Sequence, residues 1–181
     1  PNLATVQGLI SWYREVVPVN FYGHVMSWLE RYSLRRARLV TAESNFPARY
    51  LRERFGLKTV EQVEHVSDWF FHQVQRRPRL SPRRFLCVGG FDERKGVDIL
   101  LRALDRLVGE LEFELVMVGG PGEPLYGMLR KSLSPELWRR VVFKSQLRST
   151  EVAHEMAEAT VMICPTRADT GPMVVKEAVV A

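Results

Sequence analysis

Phe85 to Leu104, FLCVGGFDERKGVDILLRAL, decides how the rest of the chain is read. Its first four residues are a continuous apolar run that stops at Gly89-Gly90, the pattern of a parallel strand covered on both faces. Val97, Leu100, Leu101, Leu104, Leu107 and Val108 then repeat at the helical period, with Asp98, Arg102, Asp105 and Arg106 between them. The phrase is therefore strand, glycine loop and amphipathic helix. It recurs downstream. Phe113–Val118 (FELVMV) is a second strand closed by Gly119-Gly120-Pro121-Gly122, and Val141–Lys144 is a short third. Thr160–Cys164 (TVMIC) is a fourth. Ser134-Pro135 has the chemistry of an N-cap with proline at the first helical position. Ser149 opens a helix that runs to about Glu158, and Thr170-Gly171-Pro172 leads into a last one. Alternation at this spacing predicts βαβ units and a parallel sheet. In such a sheet, ligands bind beyond the carboxyl ends of the strands.

Upstream the pattern is less regular. Leu3–Val6 reads as a strand and Tyr22–Arg36 as a helix with Val25, Leu29 and Tyr32 on one stripe. Arg38–Ala42 reads as a strand, Ser44–Phe55 as a helix with Pro47 in its first turn, and Val60–Val66 as a strand. Gln75–Arg84 (QRRPRLSPRR), with two prolines and five arginines, has linker chemistry.

The 181 residues are 46% hydrophobic and 26% charged, which excludes long disorder, collagen and a disulfide-stapled miniprotein. The formal charge is +5, unevenly placed. Residues 1–84 carry 14 Lys+Arg against 7 Asp+Glu and 12 of the aromatic residues, whereas residues 85–181 carry 12 against 14. A basic, aromatic-rich stretch raises a nucleic-acid module as a rival, but no nucleic-acid motif is present and most of those aromatics read as core. Arg31, Arg35, Arg36 and Arg38, beside Trp28 and Tyr32, form either a solvated basic helix face or a contact for an anionic membrane surface. Cys87 and Cys164 end apolar runs and read as reduced core residues. No Cys/His spacing points to a metal, and no signal peptide or run of eighteen apolar residues is seen, so a cytoplasmic protein is expected. Pro1 opens in a strand-like phrase without an initiator Met and Ala181 falls within a helix, so both ends are expected to be cut.

Three loops could carry chemistry. In Gly89-Gly90-Phe91-Asp92-Glu93-Arg94-Lys95-Gly96 the glycines permit close backbone approach, and Lys95 stands before a helix N-terminus that favours anions. The loop is either a phosphate cradle or a turn with solvated charges. Gly119–Gly122 reads as a structural turn. In Pro165–Ala178, Asp169 and Glu177 could accept hydrogen bonds from vicinal sugar hydroxyls, with Gly171 and a helix start between them, or be ordinary surface acids. Together the first and last loops offer cations for a phosphate and acids for a sugar, which points to a sugar nucleotide.

With those loops in place, the chain resembles the retaining GT-B glycosyltransferases of family 4, the group 1 glycosyl transferases. The resemblance runs through RLVTAESNFPARYLRERFG (38–56), VEHVSDWFF (63–71), FLCVGGFDERKGVDILLRAL, FELVMVGG and VMICPTRADTGPMVVKEAVVA (161–181), the last similar to the family's two acids separated by seven residues. It implies two Rossmann-like α/β domains with parallel sheets: an acceptor-side portion over 1–76, a linker at 77–84 and a donor-binding domain over 85–181, both domains incomplete. It further implies that the 181 residues alone are inactive, since half of the acceptor site would lie outside them.

The activity implied is transfer of a hexose from a nucleotide diphosphate sugar, a UDP- or GDP-sugar, to an acceptor hydroxyl with retention, without an obligatory metal or other cofactor. Sugar or lipid-linked acceptors are implied, in polysaccharide, lipopolysaccharide or glycolipid synthesis, with a peripheral position on the inner membrane face. Catalytic and donor-binding roles fall on Lys95, Asp169 and Glu177: Glu177 on the ribose hydroxyls, Asp169 on the donor sugar, Lys95 on the diphosphate. Gly89, Gly90, Arg94, Thr170, Gly171, Pro172 and Gln7 complete the donor set. Three residues depart from the family pattern. Asp169 replaces the usual glutamate, Gly90 aligns with a usual arginine whose place Arg94 or Arg167 could take, and Gln7 in TVQG stands where histidine is usual. An epimerase using the same donor site, or a non-catalytic relative, remains as the alternative.

Overall fold

Two parallel sheets organise residues 3–181, which are those the computed structural model describes. The chain divides into two units. The first contains residues 3–66 and Ala168–Met173; the second contains Ser67–Arg167 and Val174–Ala181.

In the first unit, β1 (Leu3–Val6), β2 (Leu39–Ala42) and β3 (Val60–Gln62) lie side by side in that order, with Leu3 opposite Leu39 and Val40 opposite Val60. The helices α1 (Ile10–Val16), α2 (Phe21–Arg36) and α3 (Asn45–Phe55) connect and cover them. Val6, Leu9, Val40, Leu51, Phe55 and Val60 close the core. Helix α3 ends where Gly56 takes a left-handed conformation, a common helix stop. Helix α1 was not legible in the sequence, because no side chain of its own caps it. Its cap comes from α2: the backbone N–H groups of Ile10 and Ser11 both donate to the Glu30 carboxylate at 2.9 Å, where a negative charge meets the positive helix end.

Helix α2 corrects the sequence reading of its packed face. The stripe of Val25, Leu29 and Tyr32 is exposed, as are Phe21, Tyr22 and Trp28; Ser27 and Leu34 are its buried residues. The buried side is built on small residues. The Ser11 and Ser27 hydroxyls meet at 2.9 Å, so α1 and α2 touch closely and the large side chains turn outward. The expectation that most aromatics of residues 1–84 are core is corrected with it, since Trp69 is also exposed.

The second unit has four parallel strands in the order β6–β5–β4–β7: β4 (Arg83–Val88), β5 (Phe113–Val118), β6 (Val141–Lys144) and β7 (Val161–Met162). Strand β7 is shorter than its apolar run because only Val161 and Met162 pair, with Phe85 and Leu86. Around the sheet lie α4 (Val97–Arg106), α5 (Leu125–Ser132), α6 (Pro135–Arg139), α7 (Ser149–Glu158) and α8 (Met173–Val180), the last beginning at the crossing between units. The stripe of α4 is buried as the sequence predicts, through Val97, Leu100, Leu101 and Leu104, each worth roughly 1.5–3 kcal/mol. The Ser134 side chain does accept from the Leu137 N–H, capping α6. The opposite face of the sheet holds Leu86, Val116 and Val118 with Met156 of α7, Val174 and Ala178 of α8, and Phe71 from a 3₁₀ turn at Trp69–His72.

Arg84 on β4 is only 4% exposed, so its charge needs partners. It finds three carboxylates: Glu114 on β5 at 3.2 Å, Glu155 on α7 at 2.8 Å, and Glu158. Lys144 on β6 adds a second cation to Glu155 at 2.6 Å.

Candidate functional site

The loop after β4 is held by its own residues. The Asp92 carboxylate accepts from the Lys95 N–H at 2.8 Å, which folds Lys95 back toward the strand end. The Lys95 stem then crosses Gly89, with its Cε 3.7 Å from where a Cβ of residue 89 would stand. Gly96 starts α4 in a left-handed conformation, φ +69°. A Cβ there would lie 2.1 Å from the Pro165 carbonyl oxygen, so this helix start and the loop after β7 approach as only glycine allows. Gly119 plays the same part beside it, its Cβ position being 2.2 Å from the Gly89 carbonyl. Gly89 and Gly90 are exposed at the strand end, and Arg94 and Lys95 are half-buried. The Arg94 carbonyl accepts from the Arg167 N–H at 2.9 Å and the Thr166 hydroxyl at 3.2 Å.

Arg167 was one candidate for the arginine that Gly90 lacks. Its guanidinium is already engaged: both terminal nitrogens donate to the Asp98 carboxylate, at 2.6 and 2.8 Å, and one also to the Glu93 carbonyl at 2.6 Å. The hydrogen bonds from Arg167 hold the Asp98 carboxyl below the usual range, against some desolvation. Such a group contributes stability above its unfolded pKa and loses it as pH falls through the lower folded value. Asp98→Asn is therefore expected to lower stability at neutral pH by about 1 kcal/mol or less, the pair being partly exposed. The difference from wild type should shrink as pH falls below about 4. Melting temperatures of both proteins from neutral pH downward check this, and a difference that grows on acidification would contradict it.

Glu177 is half-buried on α8. Burial, and then the charge of Asp68, push its carboxyl above the ordinary glutamate value. Hydroxyl donors from a ligand would favour the ionised form that burial penalises. Burial likewise pushes the Cys87 thiol up to about 11, with Cys164 adding to the shift and Lys95 opposing it. Cys87 is thus a buried neutral thiol, as its apolar run implied, while Cys164 is only half-buried.

Asp169, Thr170, Gly171 and Pro172 belong to the first unit. Thr170 is 2% exposed, and its one hydroxyl proton has two acceptors in reach, the Glu43 carboxylate at 2.5 Å and the Gln7 carbonyl at 3.1 Å. Its own carbonyl accepts from the Ser44 hydroxyl at 2.5 Å. Asp169 accepts from the Gly171 N–H at 3.3 Å, a short turn. A Cβ on Gly171 would lie 3.0 Å from Glu43 Cγ, so the missing side chain makes room for the buried acid. Gln7 meets the His65 imidazole, Nε2 to Nε2, at 3.0 Å.

The candidate residues thus fall in two sets. Gly89, Gly90, Arg94, Lys95 and Glu177 lie in the second unit; Gln7, Asp169, Thr170, Gly171 and Pro172 lie in the first. Sequence reasoning missed Glu43, His65 and Asp68. Each stands in a phrase already singled out, 38–56 or 63–71, but its partner is far away in sequence, so no local spacing marks it.

The fold defined by these parallel-sheet units is that of the GT-B glycosyltransferases. Sucrose-phosphate synthase from Thermosynechococcus elongatus superposes with a TM-score of 0.78 at 20% identity, covering 97% of this chain and 47% of that one. WaaG, a glycosyltransferase involved in lipopolysaccharide biosynthesis, gives 0.70 at 16% identity, covering 99% and 54%. Residues 82–181 match the family model described as glycosyl transferases group 1, and the chain belongs to that family. A curated relative, the GDP-mannose-dependent alpha-(1-6)-phosphatidylinositol monomannoside mannosyltransferase of Mycolicibacterium smegmatis, is 28% identical over 166 residues, 81% of this chain and 44% of the relative. The chain spans about half the length of these proteins.

Proposed function

We propose that the protein transfers a sugar from a nucleotide diphosphate sugar to an acceptor hydroxyl with retention of configuration, residues 85–181 serving as the donor side and 1–76 as the acceptor side. The observation that carries this reading is the loop that folds Lys95 back over Gly89 at the start of α4. There a lysine and the first amides of a ten-residue helix offer charge for a leaving diphosphate. Glu177 takes the ribose hydroxyls and Asp169 the donor sugar, positioning rather than attacking. The curated relative's dependence on GDP-mannose supports a GDP-hexose as the first donor to try, with UDP-sugars next. Lipid-linked acceptors in glycolipid or lipopolysaccharide synthesis are supported by that relative, a phosphatidylinositol monomannoside mannosyltransferase, and by WaaG, a glycosyltransferase of lipopolysaccharide biosynthesis. The exposed aromatic and basic face of α2 supports work at an anionic membrane surface.

A thermal-shift screen against UDP, GDP, ADP and their sugars tests the donor site. One nucleotide family is expected to stabilise the protein in proportion to ln(1 + [L]/Kd), and Glu177→Ala should abolish that shift while leaving the unliganded melting temperature close to wild type. An unchanged shift in Glu177→Ala would overturn the assignment.

A further inference from the structure

Away from these loops, the first unit has a cavity of about 350 Å³ among α1, α2 and α3. Arg14, Arg31 and Arg54, one from each helix, line it. Helix α3 starts just after the carboxyl end of β2 and runs back, so Arg54, in its last turn, is at the opposite end of the helix from the Glu43–Ser44 loop. None of the three arginines forms an ion pair among the described residues. The cavity's acid, Glu15, is engaged by another lining residue: it accepts from the Tyr50 hydroxyl at 2.8 Å. Tyr50 is pushed up to about 12 by burial and by that bond to Glu15, while Arg54 and Arg14 pull the other way, so their charges reach the same spot. Arg31 lies over the ring of Phe55, another lining residue, its guanidinium 5.6 Å from the ring centre.

We propose that this cavity binds a phosphate monoester, with Arg14, Arg31 and Arg54 as its donors. Three like charges against one committed carboxylate leave a surplus that matches a dianion, and planar guanidinium groups suit phosphate oxygens. The volume admits the phosphate with part of the group that carries it. Trp28 lines this cavity and also the neighbouring one with Tyr32, Arg35 and Arg36, so the group attached to the phosphate has an aromatic surface to lie on. The phosphate can come from a lipid headgroup or from a soluble phosphate ester. The proposal does not depend on the donor-site reading.

Calorimetric titration tests it, in a Lys95→Ala background so that the donor loop does not contribute. The probes are glycerol 3-phosphate and phosphatidylcholine vesicles doped with phosphatidic acid. Saturable binding of either is expected, weakened about tenfold or more in Arg14→Gln/Arg54→Gln, with Arg106→Gln as an unaffected control. Response to both probes assigns a soluble ester; response to the vesicles alone assigns a lipid headgroup; both support the site. Arg14→Lys/Arg54→Lys keeps the charge and should retain part of the affinity, which separates loss of the site from loss of the fold. No binding of either probe, equal affinity in the double glutamine variant, or equal displacement by chloride at matched ionic strength would overturn the proposal.

Discussion

Lys95→Ala in the full-length protein is expected to lower the rate of sugar transfer by about 100- to 1,000-fold, the cost of removing one preorganised donor from a developing anion. The geometry behind the number is local. The Asp92 side chain fixes the Lys95 backbone, Gly89 leaves room for the stem, and Gly96 starts the helix directly behind it. None of these three supports is made by the ammonium group, so the variant should keep the fold. The loss should fall mainly on kcat, because charge on the leaving diphosphate grows toward the transition state. Steady-state kinetics with the donor found by the thermal screen separates the cases. A rise in KM at constant kcat would make Lys95 a ground-state anchor only, and unchanged kinetics would remove it from the site.

Arg84→Ala carries the largest expected cost in stability, about 3 kcal/mol or more, because it strands buried acid charge. Its three carboxylate partners are not equivalent. Glu158 and Glu114 are exposed enough to turn to water, with side chains 45% and 32% accessible, whereas Glu155 at 13% is not. Lys144 still pairs with Glu155, which keeps the cost toward the lower end of the range for a broken buried pair. Arg84→Met/Glu155→Gln should recover part of the loss, since both charges leave together. Denaturant unfolding of the single and double variants measures this. Equal stability of Arg84→Ala and wild type would show that the network contributes nothing.

The second unit was largely legible because its signals are local. FLCVGGFDERKGVDILLRAL contains the strand, its stop and the helix that follows, and α4 buries the stripe its period predicts. Legibility failed where a partner was distant. Helix α1 is capped from α2 by Glu30, and α5 has no side-chain cap at all. The apolar stripe of α2 has the period of a core face, yet the helix packs through Ser27 instead. The site shows the same division. Lys95, Asp169 and Glu177 could be picked out because loop, helix start and spacing are contiguous. The bonds linking Thr170 to Glu43 and to Gln7 bridge residues far apart in sequence, and no pattern in either segment announces the other.

Thr170 has one more consequence. The first unit is not a continuous stretch of chain: Ala168–Met173 returns to it after a hundred residues spent in the second. A peptide ending at Val66 would therefore lack the hydroxyl that satisfies Glu43 and the carbonyl that receives Ser44. No single peptide bond separates the two units, and a protease nick between Val66 and Ser67 would still leave them joined through two crossings of the chain. The unit is better regarded as a two-segment assembly, whose second segment arrives only after the whole of Ser67–Arg167 has been synthesised.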